Sequence, residues 1–171
     1  MRPDILALGW LAASALSALP ALAEGTLQGR IVTFRVLAYD DPALLLFDGV
    51  GRTVRAGPGV EFGLEMEGGQ NGLDVVPVVV NIGDDRIEMS YQHVAPGVFA
   101  TATFNGYELR FDTECALFSA AEIDKGATTL PLDDTALRSE RGSLFVNVAG
   151  HPYGRTTRIA IDLDVTDCPM S

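Results

Sequence analysis

Apolar and polar residues alternate with a period of two along most of this chain, and Gly, Pro, Asn and Asp interrupt the alternation at short intervals. That pattern predicts half-buried β-strands joined by tight turns. Over Arg30 to Tyr39, Val32, Phe34, Val36 and Ala38 share one face, and Asp40-Asp41-Pro42 ends the run. Leu44 to Phe47 is a short apolar strand stopped by Asp48-Gly49, and Val60 to Met66 follows the turn at Gly57-Pro58-Gly59. Val75 to Ile82 is apolar almost throughout, as in a strand covered on both faces, and Pro77 confines it to an edge or a bulge. Gly83-Asp84-Asp85 turns the chain into Arg86 to Tyr91, where Ile87, Met89 and Tyr91 alternate with Arg86, Glu88 and Ser90.

Asn105-Gly106 is the strongest local turn signal, because a type I′ hairpin needs positive φ at both central residues. It predicts a hairpin of Val98 to Phe104 with Tyr107 to Asp112. In that register Phe104 opposes Tyr107 and Ala102 opposes Leu109 on the core face. Thr103 and Glu108 lie on the wet face. Beyond Cys115 the alternation loosens. Ser119 and Glu122 have capping-box spacing, so Ser119 to Lys125 reads as one or two helical turns ended by Gly126. Thr128 to Gly142 reads as a polar connection with another helical turn near Asp134 to Arg138. Leu144, Val146 and Val148, then Ile159, Ile161, Leu163 and Val165, form two closing stripes. The sum is an all-β, antiparallel β-sandwich with a short helical or irregular insertion around residues 116–142.

The first residues depart from this pattern. Arg2 precedes an apolar stretch from Ile5 to Leu19, Pro20 breaks it, and Ala21-Leu22-Ala23 supplies small residues at a peptidase site. A transmembrane helix needs roughly 20 continuous apolar residues, so this stretch reads as a signal peptide over residues 1–23, removed to leave one domain over 24–171. Export then gives the two cysteines their meaning: Cys115 and Cys168 are expected to form a disulfide. Net charge is −11 and Lys125 is the sole lysine. Nucleic acid and anionic membrane surfaces, which demand a basic face, are poor partners, and no nucleic acid is expected to bind. No later segment is apolar enough to span a bilayer.

The order of four segments is familiar: Gly57-Pro58-Gly59-Val60-Glu61-Phe62, Ile82-Gly83-Asp84-Asp85-Arg86-Ile87, Phe104-Asn105-Gly106-Tyr107, and Ser143-Leu144-Phe145-Val146-Asn147-Val148-Ala149-Gly150. From Leu44 to Val165 the chain resembles the small secreted β-sandwich proteins of bacteria that often carry a PEP-CTERM sorting tail. The resemblance implies export and a sandwich fold, and it supplies no catalytic residues. The closing Cys168-Pro169-Met170-Ser171 has no Pro-Glu-Pro motif, so anchoring through such a tail is not carried over.

Candidate chemistry is sparse. His93 ends a strand and His151 sits in a Gly/Pro loop, with no serine in a nucleophile elbow. Glu61, Glu65, Glu67, Glu88 and Glu108 are the acids from which a glycoside-hydrolysing pair would be drawn. Asp40-Asp41, Asp84-Asp85 and Asp133-Asp134 lie in turns, and Asp84 with Asp85 is the best candidate for calcium, which takes oxygen donors. Aspartate is also simply a good turn former. Tyr91, Tyr107 and Tyr153 are the aromatics considered for stacking on sugars, Tyr153 being the freest. The expected function is an exported, non-enzymatic binding or surface-associated module, its partner a glycan or an envelope or extracellular protein. Two alternatives stand beside it: a periplasmic or secreted hydrolase of envelope polysaccharide using paired carboxylates, and a protein-interaction or inhibitor domain working through Thr128 to Gly142.

Overall fold

The alternation that dominates the sequence becomes two packed antiparallel sheets. The computed structural model describes residues 25–63 and 75–169. The expected signal peptide at residues 1–23 and the candidate acids Glu65 and Glu67 lie outside the described residues. The strands are β1 (Ile31–Asp41), β2 (Leu44–Asp48), β3 (Arg52–Arg55), β4 (Val60–Phe62), β5 (Val79–Ile82), β6 (Arg86–Ser90), β7 (Gly97–Val98), β8 (Phe104–Phe111), β9 (Phe118–Ile123), β10 (Leu137–Glu140), β11 (Ser143–Asn147), β12 (Pro152–Tyr153) and β13 (Arg158–Val165).

The first sheet has the order β10-β11-β8-β1-β2, with β3 also paired to β1. β8 lies along one flank of β1, while β2 and β3 serve its other flank in turn. The second sheet has the order β4-β5-β6-β13-β9, and β7 with β12 forms a small separate ladder. One buried cluster joins the sheets. Val32, Phe34, Tyr107, Leu109, Leu144 and Val146 of the first meet Val80, Ile82, Ile87, Met89, Ile161 and Leu163 of the second. Phe34 stacks on Phe62 at 5.1 Å and Phe111 meets Phe118 edge-on at 5.6 Å across the layers. A fully buried side chain of this kind contributes ~1.5–3 kcal/mol, so the stripes on β1, β8, β11 and β13 are what close the sandwich.

The hairpin at Asn105-Gly106 is absent. Both residues lie inside β8, which runs straight from Phe104 to Phe111 beside β1, with Leu37 opposite Gly106 and Ala38 opposite Asn105. Gly106 is not among the positive-φ residues. A Cβ there would meet the Val146 carbonyl oxygen and lie 2.9 Å from its carbon. The glycine is needed for close approach of β11, not for a left-handed turn. Straightening the strand also places Phe104 and Tyr107 on opposite faces. Tyr107, Leu109 and Phe111 face the core as expected, whereas Phe104 joins Leu37 and Tyr39 in a second cluster. There Phe104 stacks on Tyr39 at 5.0 Å, and the Arg138 guanidinium lies 3.8 Å from the Phe145 ring centre. Glu108 also points away from the core, yet it is buried, because Arg35 covers it with hydrogen bonds of 2.8 and 2.5 Å to Oε2.

The insertion is more ordered than its sequence suggests. Ser119 to Ile123 is strand, not helix: β13 offers an open ladder edge, and β9 fills it from Phe118 to Ile123. Tertiary pairing overrides the helical preference of Ala120-Ala121-Glu122. Thr128 and Thr129 bond the backbone of β13 at Ala160 and Arg158, while Leu130 and Leu132 plug into the core. Asp133 caps a 3₁₀ turn at Asp134–Ala136, close to the helical turn expected there. Thr128 to Gly142 is therefore a packed latch with a short edge strand, not a protruding loop.

Cys115 and Cys168 form the disulfide, with Cα atoms 6.2 Å apart, within the ~4.4–6.8 Å that bonded cysteines require. The pair joins the segment before β9 to the segment after β13. The buried Arg30 guanidinium reinforces the same corner by donating to the Cys168 carbonyl at 2.8 Å and to the Thr26 carbonyl at 2.6 Å.

Candidate functional site: an apolar pocket at one end of the sandwich

A pocket opens against the first sheet where no strand of the second sheet lines it. Val36 and Ala38 of β1, Phe47 of β2 and Tyr107 of β8 line it from the sheet side. Val75, Val76, Phe99, Val148 and Tyr153 close it from connecting segments and β12, and no strand of the second sheet contributes. Its volume is about 210 Å³. Among the described residues no charged side chain lines it. Asn105 is the one amide in the wall, and its NH₂ group donates to the Ala100 carbonyl at 2.8 Å. Phe99 packs on Tyr153 at 4.6 Å between ring centres, so one wall is a fixed aromatic pair.

Behind that wall Tyr91 donates its O–H to the Tyr107 hydroxyl oxygen at 2.9 Å. Both rings are fully buried. Burial pushes both phenols well above the ordinary tyrosine range, and at Tyr91 the neighbouring Tyr107 adds to the effect. A neutral acid whose pKa is raised on folding stabilises the fold fully below its unfolded pKa. That stability is lost as pH climbs from the unfolded value toward the folded one. The unfolded tyrosines ionise near ~10 and release two protons that the folded pair keeps, so stability is expected to fall by up to about 3 kcal/mol per pH unit above that point. Lys125 is the only lysine, so ammonium titration adds little background. Urea unfolding from pH 9 to 11 measures the slope. In Tyr91→Phe/Tyr107→Phe it should vanish, and an unchanged slope in that variant would show that other groups set it.

Among the described residues the other sequence candidates are held apart by separate partners. Glu61 accepts from the backbone N–H groups of Gly57 and Ile82, at 3.0 and 2.7 Å, and holds a turn. Glu88 is bound to Arg86 on the outer face of the second sheet, and Glu108 to Arg35 on the outer face of the first. Glu88 and Glu108 thus stand on opposite sides of the sandwich and cannot flank one bond. Among the described residues no hydrogen bond joins His93 or His151 to a hydroxyl or carboxylate.

Asp84 and Asp85 do sit on the expected tight turn, beside an open groove that also holds Glu122, Asp162 and Asp164. Asp84 accepts from the Thr26 hydroxyl at 2.9 Å, Asp162 pairs with Arg86, and Asp164 accepts from Ser119. Arg86 also binds Asp124 at 2.7 Å, which holds that carboxyl below the usual carboxylate range. Among the described residues no three His, Cys, Asp or Glu side chains are grouped so as to hold a metal ion. Nor do the tyrosines offer a sugar platform: Tyr91 and Tyr107 are enclosed, and Tyr153 is packed on Phe99.

Tyr107 and Tyr153 stood out in the sequence as candidate stacking aromatics, but the pocket that they share with eleven other residues did not. Phe47, Phe99 and Val148 look like ordinary core positions, and the apolar residues Val75, Val76 and Phe99 lie outside regular strands. No protein-family model, curated protein or solved structure matches the chain. Among the described residues no helix is long and apolar enough to cross a membrane.

Proposed function

We propose that the domain is an exported, non-enzymatic binding module that takes a small apolar molecule into the end pocket. The observation that carries this reading is the pocket itself: a concave, uncharged site of about 210 Å³ with a rigid aromatic wall. An apolar cavity of ~150 Å³ already binds benzene, so a single substituted ring has room. The signal-peptide pattern of Met1 to Ala23 and the paired cysteines support export. Glu88 and Glu108, on opposite faces, do not form the carboxylate pair that a hydrolase needs. The edge strand β2 favours a second reading, pairing with a partner's strand, because Leu44, Leu45 and Leu46 are exposed in a row on it.

Toluene is the simplest probe. At ten times its Kd a ligand specific to the native state adds ~1.4 kcal/mol, an upward shift in Tm of about 3–6 °C for a domain of this size. Ala100 is exposed and also lines the pocket. Ala100→Trp should fill the pocket, leave the fold intact and abolish the shift. No shift in the wild-type protein at saturating toluene would contradict the proposal.

A further inference from the structure

Two buried hydroxyls face each other at the back of the pocket wall, and between them they make one hydrogen bond. Tyr91 donates and Tyr107 accepts. Each phenol carries one proton, so the Tyr91 proton is used and the Tyr107 proton is not. Among the described residues nothing else accepts from Tyr107. A buried donor left without an acceptor is costly. Tyr107 lines the pocket and Tyr91 does not.

We infer that the pocket selects a small, neutral molecule with an apolar body and a single acceptor oxygen, an aromatic aldehyde or ketone, which receives the free O–H of Tyr107. This rests on the pocket being the binding site. The lining decides the rest of the chemistry. An anion finds no cation in the wall, and the chain's charge of −11 repels it. A sugar presents several hydroxyls, whereas Asn105 already spends its NH₂ group on Ala100 and the other polar side chains among the described lining residues are only Tyr107 and Tyr153. A benzene ring with two or three further heavy atoms fits a volume somewhat above the ~150 Å³ that holds benzene alone. Phe99 and Tyr153 supply the surface against which the ring packs.

Acetophenone and cumene test it, because they share a shape and differ in the carbonyl. The sole tryptophan of the chain is Trp10, in the leader, so the mature domain reports binding through tyrosine fluorescence. The quantity read is the ratio of the cumene Kd to the acetophenone Kd, compared between variants so that the ligands' hydration cancels. In Tyr91→Phe the ratio should stay at its wild-type value, since Tyr107 keeps its donor. In Tyr91→Phe/Tyr107→Phe, which removes both hydroxyls and orphans neither, it should fall about fivefold, the loss of one hydrogen bond. The infrared carbonyl stretch of bound acetophenone should be lowered in the wild type and return to its apolar-solvent position in the double variant. If both ligands bind with the same ratio in all three proteins, the donor role of Tyr107 is overturned and the pocket stands. If neither ligand binds, the pocket reading falls with it.

Discussion

Gly106→Ala is expected to cost the domain at least ~3 kcal/mol, more than overpacking against mobile side chains usually does. The reason is the partner. An added methyl at this position meets the backbone of β11 at Val146 and Asn147, not the end of a flexible side chain. β11 cannot retreat, because Val146 pairs with Tyr107 and its side chain is buried in the core. Gly57 supplies the control: a Cβ there meets nothing within 4 Å, and its φ is not positive. Gly57→Ala should be neutral or stabilising by up to ~1 kcal/mol. Urea denaturation of the two variants measures the difference. A hairpin glycine at positive φ would instead cost ~1–2 kcal/mol, so a small loss at Gly106 would restore the hairpin and remove the straight β8.

Removing the disulfide has a comparable effect by a different route. Cys115→Ala/Cys168→Ala releases a crosslink spanning 53 residues, and the chain-entropy account values such a loop at ~4 kcal/mol at most. The loss should appear as a lower urea midpoint for the double variant, and equally for wild-type protein unfolded under reducing conditions. Cys168 also anchors the corner where Arg30 donates to its carbonyl, so the variant should lose protection from hydrogen exchange first near β9 and the C-terminal segment. Equal midpoints for oxidised and reduced protein would show that packing alone holds that corner.

The parts of the fold that were legible are those where one strand carries its own evidence. Val32, Phe34 and Val36, or Ile159, Ile161 and Leu163, announce a buried face by spacing alone, and the structure buries all of them except Val36, which is half-buried at the pocket. β8 was misread because Asn105-Gly106 has the same local signature whether it turns the chain or lets a neighbouring backbone approach. Only the flanking strands β1 and β11, distant in sequence, distinguish the two. β9 was missed for a related reason: Ala120-Ala121-Glu122 favours a helix, and the vacant edge of β13 that recruits it lies some 40 residues on. The pocket is further still from the sequence. Its walls come from Val36 through Tyr153, and its existence depends on where the second sheet stops. The hydrogen bond between Tyr91, just past the end of β6, and Tyr107 of β8 likewise joins segments that no local pattern connects.

Backbone and methyl NMR of the domain titrated with toluene tests the account most directly, because it reports where the molecule sits as well as whether it binds. Saturable shifts confined to Val36, Ala38, Phe47, Phe99, Tyr107, Val148 and Tyr153 are the expected result. Shifts that fail to saturate, or that gather instead at the exposed Leu44, Leu45 and Leu46 of β2, would contradict it and move the functional surface to the sheet edge.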